Sequence, residues 1–69
     1  MVEVFITNVQ SEEKANSIIH ELEVLFPDYM VNFDLEDHDK ILRIESENIN
    51  TEHVIEMLNK KNINCEILK

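Results

Sequence analysis

Residues 29–45 read Tyr-Met-Val-Asn-Phe-Asp-Leu-Glu-Asp-His-Asp-Lys-Ile-Leu-Arg-Ile-Glu. Apolar and polar side chains alternate through residues 29–36 and again through residues 41–45. This period of two is typical of strands that bury one face. The polar turn at residues 37–39 separates the two strands, so the stretch predicts a β-hairpin. Its apolar face consists of Val31, Phe33, Leu35, Leu42 and Ile44.

A strand and a helix are predicted on each side of this hairpin. Before it, residues 2–9 are rich in β-branched side chains, and a helix follows from an N-cap at Ser11 to about Phe26, where Pro27 ends it. After the hairpin, a second helix begins with Asn50 or Thr51 as its N-cap. Asn62 provides a left-handed C-cap for this helix, and residues 63–68 alternate as a last strand.

The predicted order β-α-β-β-α-β places the chain in the α+β class. Two right-handed crossovers joined by a hairpin give the ferredoxin-like fold, a four-stranded antiparallel sheet with two helices on one face. No linker or low-complexity stretch interrupts the chain, so we expect a single domain over residues 1–69.

Composition narrows the classes of partner. The chain carries a formal net charge of −9, and residues 1–39 hold ten acidic residues against one base, Lys14. This charge argues against binding to nucleic acid or to an anionic membrane surface. Neither a secretory signal nor an apolar run of transmembrane length is visible, and Cys65 is the single cysteine, so we expect a cytoplasmic protein without disulfides.

The end of the first predicted strand resembles the metal-binding loop of the heavy-metal-associated domain, a metallochaperone and copper-pump module of the same topology. That family carries Gly-Met-x-Cys-x-x-Cys there, followed by an aliphatic core residue. The segment here is Asn-Val-Gln-Ser-Glu-Glu-Lys over residues 8–14, with Ile18 at the aliphatic position. Ser11 and Lys14 stand where the family has its two cysteines, and soft metals such as Cu(I) need thiolates.

Two further segments carry the same resemblance. Residues 33–36 resemble the family's Val-Asp-Leu-Glu strand, and Val54, Leu58 and the pair Asn62-Ile63 resemble its pattern before the last strand. The chain is also similar to short relatives without the cysteines, which share the stretch matched here from Asp34 to Ile44. The resemblance implies an HMA-like scaffold that has lost thiolate metal ligation.

The predicted hairpin tip is a candidate metal site, and a site shared between subunits is another. Asp37, His38 and Asp39 form an oxygen-rich loop that offers ligands to a hard cation. The spacing lacks the glycine turn and the distal glutamate of an EF-hand. The alternative is a hydrophilic turn, with Asp34 or Glu36 paired across the strands with Arg43.

No enzyme signature is present. Cys65 has the parity of its apolar neighbours and is expected to be buried and inert, and the three histidines lack the spacing of a zinc helix. A chain without glycine has no glycine-rich phosphate loop. We therefore expect no catalytic residues and no cofactor.

The face of the sheet away from the helices is the candidate interface. Strand alternation places Val4, Ile6, Ile41 and Leu68 there, near Glu3, Arg43 and Glu66. An exposed apolar patch of this kind marks a protein interface more often than a small-molecule site. The first strand is apolar on both sides, so the assignment of its two faces stays open at this stage.

Three functions remain open from the sequence. The first is a non-catalytic binding module that acts through a protein partner or a homodimer. The second is a heavy-metal or divalent-cation binding or transport protein that uses carboxylate and histidine ligands. The third is a small-ligand regulatory module, which rests on fold analogy alone.

Overall fold

A computed structural model describes residues 1–68 of the chain. Lys69, the last residue of the predicted domain, lies outside the described residues. The elements in chain order are β1 (Val2–Thr7), α1 (Glu12–Leu25), β2 (Met30–Asp34), β3 (Ile41–Glu45), α2 (Thr51–Lys60) and β4 (Cys65–Ile67).

The four strands form one antiparallel sheet in the order β2-β3-β1-β4. β1 pairs with β3 on one side and with β4 on the other, and β2 pairs with β3. Each β-α-β unit therefore crosses over one intervening strand. The chain has the ferredoxin-like β-α-β-β-α-β fold, and the predicted fold class is confirmed.

The core lies between the sheet and the two helices, and it settles which face β1 buries. Phe5 is fully buried, whereas Val4 and Ile6 on the opposite face are only half-buried. Each helix contributes one apolar stripe, as its three- and four-residue spacing predicts. The largest fully buried side chains are Phe5, Val9, Ile18, Leu22, Leu42, Ile44, Val54 and Leu58.

Both helices begin at the predicted caps. The hydroxyl of Ser11 accepts a hydrogen bond from the backbone N–H of Lys14 at 3.1 Å, and Asn50 Oδ1 accepts from His53 N–H at the same distance. Such contacts satisfy donors that the first helical turn leaves free. Lys40 and Asn62 adopt positive φ of 47° and 63°, the conformation that glycine would favour in other chains.

Three strands are shorter than the sequence predicts. β1 ends at Thr7 instead of residue 9, because the buried Thr7 hydroxyl accepts from Val9 N–H and donates to the carbonyl of Lys40, which turns the chain. β2 ends at Asp34 instead of residue 36, and β4 begins at Cys65 instead of residue 63. In β2 and β4, the alternation of apolar and polar residues therefore continues beyond the residues that pair with a neighbouring strand.

The loops that connect the helices and strands lie at two opposite ends of the molecule, because neighbouring strands run antiparallel. The loop end holds the β1–α1 loop (residues 8–11), the β2–β3 hairpin tip (residues 35–40) and the α2–β4 turn (residues 61–64). The cleft end holds the α1–β2 connection (residues 26–29) and the β3–α2 connection (residues 46–50). Within residues 1–68, neither helix has the length and apolar character needed to cross a membrane.

Candidate functional site

Ser11 and Lys14 lie in the first turn of α1, at the loop end. Ser11 is the N-cap residue and its hydroxyl accepts the Lys14 N–H, so the two positions sit on one helical turn. Both residues are exposed. The two side chains are therefore close enough to act as a pair. However, the Ser11 hydroxyl already caps the helix, and the Lys14 ammonium group donates hydrogen bonds and repels cations.

Other polar groups of the loop end also bond to nearby backbone. Asn8 Oδ1 accepts from Asn64 N–H at 3.0 Å, which joins the β1–α1 loop to the α2–β4 turn. The backbone N–H of Thr7 donates to Asp39 O at 3.1 Å, which joins the end of β1 to the hairpin tip. The three connections of the loop end are thus tied together by their own hydrogen bonds.

The hairpin tip places its carboxylates as turn acceptors. Asp34 Oδ1 accepts from Asp37 N–H at 3.3 Å, and Asp37 Oδ1 accepts from Asp39 N–H at 2.8 Å. The Lys40 ammonium group folds into the same tip and donates to the carbonyl of Leu35 at 2.8 Å. A protein cation therefore already occupies the interior of this loop.

Asp37, His38 and Asp39 are not brought together as a metal centre. Over residues 1–68, no three His, Cys, Asp or Glu side chains are grouped in a way that could hold a metal ion. The carboxylates of Asp34 and Asp37 accept from backbone N–H groups along the turn, whereas a hard cation requires several oxygens that converge on one point. The cross-strand pairing also differs from the sequence alternative, because Arg43 lies opposite Asn32 and Val4, whereas Asp34 lies opposite Ile41.

Cys65 is buried at the start of β4, opposite Thr7 on the helix side of the sheet. Burial, together with the nearby charge of Glu66, raises the pKa of its thiol to about 12. The thiol stays protonated at neutral pH, and only the thiolate is an effective nucleophile or metal ligand. This placement agrees with the predicted inert character of Cys65.

The open face of the sheet carries the predicted apolar patch. Val4 lies between Arg43 on β3 and Leu68, whose N–H donates to the Val4 carbonyl at 2.8 Å. Ile6 lies opposite Glu66, and the next step of the β1–β3 register brings it beside Ile41. We call Val4, Ile6, Ile41 and Leu68 the open-face patch.

Two features of this patch differ from the sequence expectation. Glu3 is not on its rim, because it lies opposite Ile44 and shares the helix-side parity of Phe5. Three of the four patch residues are half-buried by neighbouring side chains, and only Leu68, 44% exposed, ranks among the exposed large apolar residues. The four residues therefore lie on the open face, but other side chains of the same molecule partly cover three of them.

Sequence reasoning missed the cleft end. The α1–β2 and β3–α2 connections there line an open cleft, which includes Phe26, Asp28 and Glu47. Leu25, the last residue of α1, lines this cleft and is 52% exposed, although its spacing of three residues from Leu22 and seven from Ile18 predicts a place in the buried stripe of the helix. The available signal was the pair of apolar residues Val24 and Leu25 directly before the helix end, where one apolar stripe cannot bury both.

Comparison with known proteins supports the fold. No protein-family model matches the sequence, and no curated protein matches it. Among solved structures, the chain is similar to the yeast copper transporter domain Ccc2a, studied in solution in apo and Cu(I)-loaded states. The TM-score is 0.81 at 16% sequence identity, over 99% of this chain and 94% of that domain. The chain therefore shares its fold with that copper transporter domain, although few residues are identical between the two sequences.

Proposed function

We propose that the protein is a non-catalytic protein-binding module that uses a metallochaperone-like scaffold without thiolate metal ligands. The observation that carries this proposal is the open-face patch. Its aliphatic side chains lie on the face of the sheet that no helix covers, along the central strand β1. A face of this kind offers apolar area to a partner without any change in the fold.

The shape of the patch favours a protein over a small molecule. Small-molecule sites are concave and enclose most of the ligand surface. The open face is instead a strand surface on which Val4 and Ile6 are flanked by the long side chains of Arg43 and Glu66. An apolar centre with charged neighbours matches the usual arrangement of protein interfaces.

Charge favours a basic partner over a second copy of the chain. Each copy carries a formal charge of −9, so association of two copies brings like charges together. On the open face, Asp34, Glu45 and Glu66 outnumber Arg43. A partner with basic residues around an apolar centre satisfies both features, and its association rate rises at low salt.

The chemistry of the loop end supports a function without metal transfer. Cu(I) prefers soft sulfur ligands, and Ser11 and Lys14 offer a hydroxyl and an ammonium group at the paired positions. The hydroxyl is already a helix cap. The metal-handling alternative therefore rests on the likeness of the fold alone.

The proposal is tested with Ile6→Lys in affinity capture from cells that express the chain. Lysine at this position faces Glu66 across the strands, so the variant should fold, while it removes apolar area and repels a basic partner. We expect the variant to lose partners that the unmodified chain retains at low salt and releases at high salt. Light scattering of the purified chain distinguishes a partner from a homodimer.

Ile55→Lys is the matched control. Ile55 is also half-buried, but it lies on α2 in the helix layer, on the opposite side of the molecule. This variant should retain every partner. If both variants lose the same partners, or if Ile6→Lys loses none while it remains folded, the open face is not the binding surface.

A further inference from the structure

The cleft end contains a solvent-open cleft of about 850 Å³. Its wall is built on an aromatic pair, since the rings of Phe26 and Tyr29 stack with centroids 4.4 Å apart and an angle of 10° between their planes. The Tyr29 hydroxyl accepts the backbone N–H of Asn50 at 2.8 Å, which fixes the opposite wall against the stack. The cleft volume lies within the range of about 300–1,000 Å³ that is usual for binding sites.

Exposed apolar side chains lie at this end of the molecule, and two of them, Met1 and Leu25, line the cleft. The topology brings the start of β1, the end of α1, the start of β2 and the residue after β4 to the same end. Every large apolar side chain that is well exposed within residues 1–68 belongs to these segments: Met1, Val2, Val24, Leu25, Met30 and Leu68. Val2, Met30 and Leu68 face the open side of the sheet, like Val4, so they extend the exposed apolar surface of this end beyond the cleft.

The charges at the cleft end are negative. Asp28 and Glu47 line the cleft, and no lysine or arginine is among its lining residues. Even with an α-amino group at Met1 counted, the lining remains net negative. The lysines that the structure describes, namely Lys14, Lys40, Lys60 and Lys61, lie on segments of the loop end or on the last turn of α2 beside it.

We propose that this cleft binds a basic, apolar peptide segment of a protein partner. An apolar side chain of the segment packs against Leu25, Phe26 and Ile49, and a neighbouring lysine or arginine pairs with Asp28 or Glu47. A peptide fits better than a small molecule because exposed apolar surface continues beyond the cleft. The proposal rests on the chain being a protein-binding module, but it concerns a different surface from the open-face patch.

The test is an NMR titration of the isotope-labelled chain with an acetylated peptide of alternating leucine and arginine. Two further peptides replace either every leucine with serine or every arginine with glutamate. We expect the leucine–arginine peptide to shift amide signals of residues 25, 26, 28, 29 and 46–50, with weaker binding of the serine peptide and none of the glutamate peptide. Added salt should weaken the binding, because part of it is charge attraction.

Matched variants assign the contact to the cleft. Leu25→Ser removes an exposed side chain that lines the cleft, and Val24→Ser removes one on the same turn that does not line it. We expect Leu25→Ser to weaken peptide binding about fivefold, the value of partly burying one leucine, and Val24→Ser to change it far less. Asp28→Asn should weaken binding, whereas Glu66→Gln on the open face should leave it unchanged.

Three results would overturn this proposal. Shifts centred on the open-face patch would move the peptide site there and leave the proposed function standing. Equal binding of the serine and leucine peptides would show only general attraction to an acidic protein. No binding of the leucine–arginine peptide, at concentrations where a folded chain remains soluble, would show that the cleft has no affinity for this class of ligand.

Discussion

The two ends of the molecule use their polar and apolar residues in opposite ways. At the loop end, Ser11, Asn8, Asp34 and Asp37 all accept hydrogen bonds from nearby backbone N–H groups, so the end is polar and closed on itself. At the cleft end, the apolar side chains of Met1 and Leu25 are left exposed and line an open cleft.

The resemblance to a known family and the exposed apolar surface lie at different ends of the molecule. The loop end is where the resemblance to the heavy-metal-associated domain places metal ligands, and there the side chains now serve local structure. The cleft end contributes no residue to that motif, yet it carries exposed apolar surface and the acidic side chains Asp28 and Glu47, which form no salt bridge within residues 1–68.

The largest expected effect comes from restoring two thiolates at the loop end. Ser11→Cys with Lys14→Cys should convert a chain that presents no exposed thiol into one that binds Cu(I), because a Cys-x-x-Cys pair in the first helical turn supplies soft ligands with lowered pKa values. Competition with a chromogenic Cu(I) chelator measures the affinity.

The second helix offers a matched control for this variant. Asn50 and His53 hold the same N-cap and third-residue positions on α2, at the cleft end. Asn50→Cys with His53→Cys should bind Cu(I) more weakly, by about tenfold or more, since the surrounding groups tune a metal site by that factor. Equal affinities would mean that any helix start suffices and that the loop end has no special suitability for metal.

A second prediction uses Cys65, the thiol that is already at the loop end. The pKa of Cys65 is raised from 9.0 to about 12, first by burial and then by the charge of Glu66. Above pH 9.0 the unfolded chain loses the thiol proton while the folded chain keeps it. Between pH 9.0 and about 12 the free energy of unfolding should therefore fall with rising pH by up to about 1.4 kcal/mol per pH unit, and below pH 9.0 this thiol should cause no change with pH.

Urea unfolding at a series of alkaline pH values measures this slope. Other groups titrate in the same range, so the informative quantity is the difference from Cys65→Ala, which lacks the thiol. The variant should be less stable at neutral pH because a buried group is lost, and its stability should decline less steeply above pH 9.0. Parallel curves would show that the thiol is accessible to solvent, which would reopen Cys65 as a reactive group at the loop end.

The sequence was sufficient for the fold because its signals are local and agree with one another. Alternation in residues 29–45 defined the hairpin, Ser11 and Asn50 defined the helix starts, and Asn62 took the predicted left-handed conformation. Each of these depends on neighbours within one turn of chain. The strand ends were less predictable because they depend on contacts distant in sequence, such as the one between Thr7 and Lys40.

The candidate sites were less predictable for the same reason. The grouping of Asp37, His38 and Asp39 in sequence suggested a shared ligand set, but the turn directs the carboxylates to backbone N–H groups and admits the Lys40 ammonium. The cleft joins residues 26–29 to residues 46–50, which alternation and motif matching cannot bring together. A site formed by two connections becomes visible only when the topology is known.

The smallest expected effect compares the two helix caps. Ser11→Ala and Asn50→Ala each remove one side-chain acceptor from a first helical turn, at a cost of about 1 kcal/mol in the free energy of unfolding. Tyr29→Phe removes the acceptor for the Asn50 backbone N–H and should cost about as much. Thermal or urea unfolding of the single and double variants gives the coupling between them.

The coupling distinguishes the two ends more sharply than the single variants. Tyr29→Phe and Asn50→Ala act on the same connection, so their effects should deviate from additivity by about 0.5 kcal/mol or more. Tyr29→Phe and Ser11→Ala act at opposite ends and should add to within about 0.3–0.5 kcal/mol. If the second pair couples as strongly as the first, the two ends form one cooperative unit, and a peptide bound in the cleft would then also alter the metal affinity of the Ser11→Cys, Lys14→Cys variant.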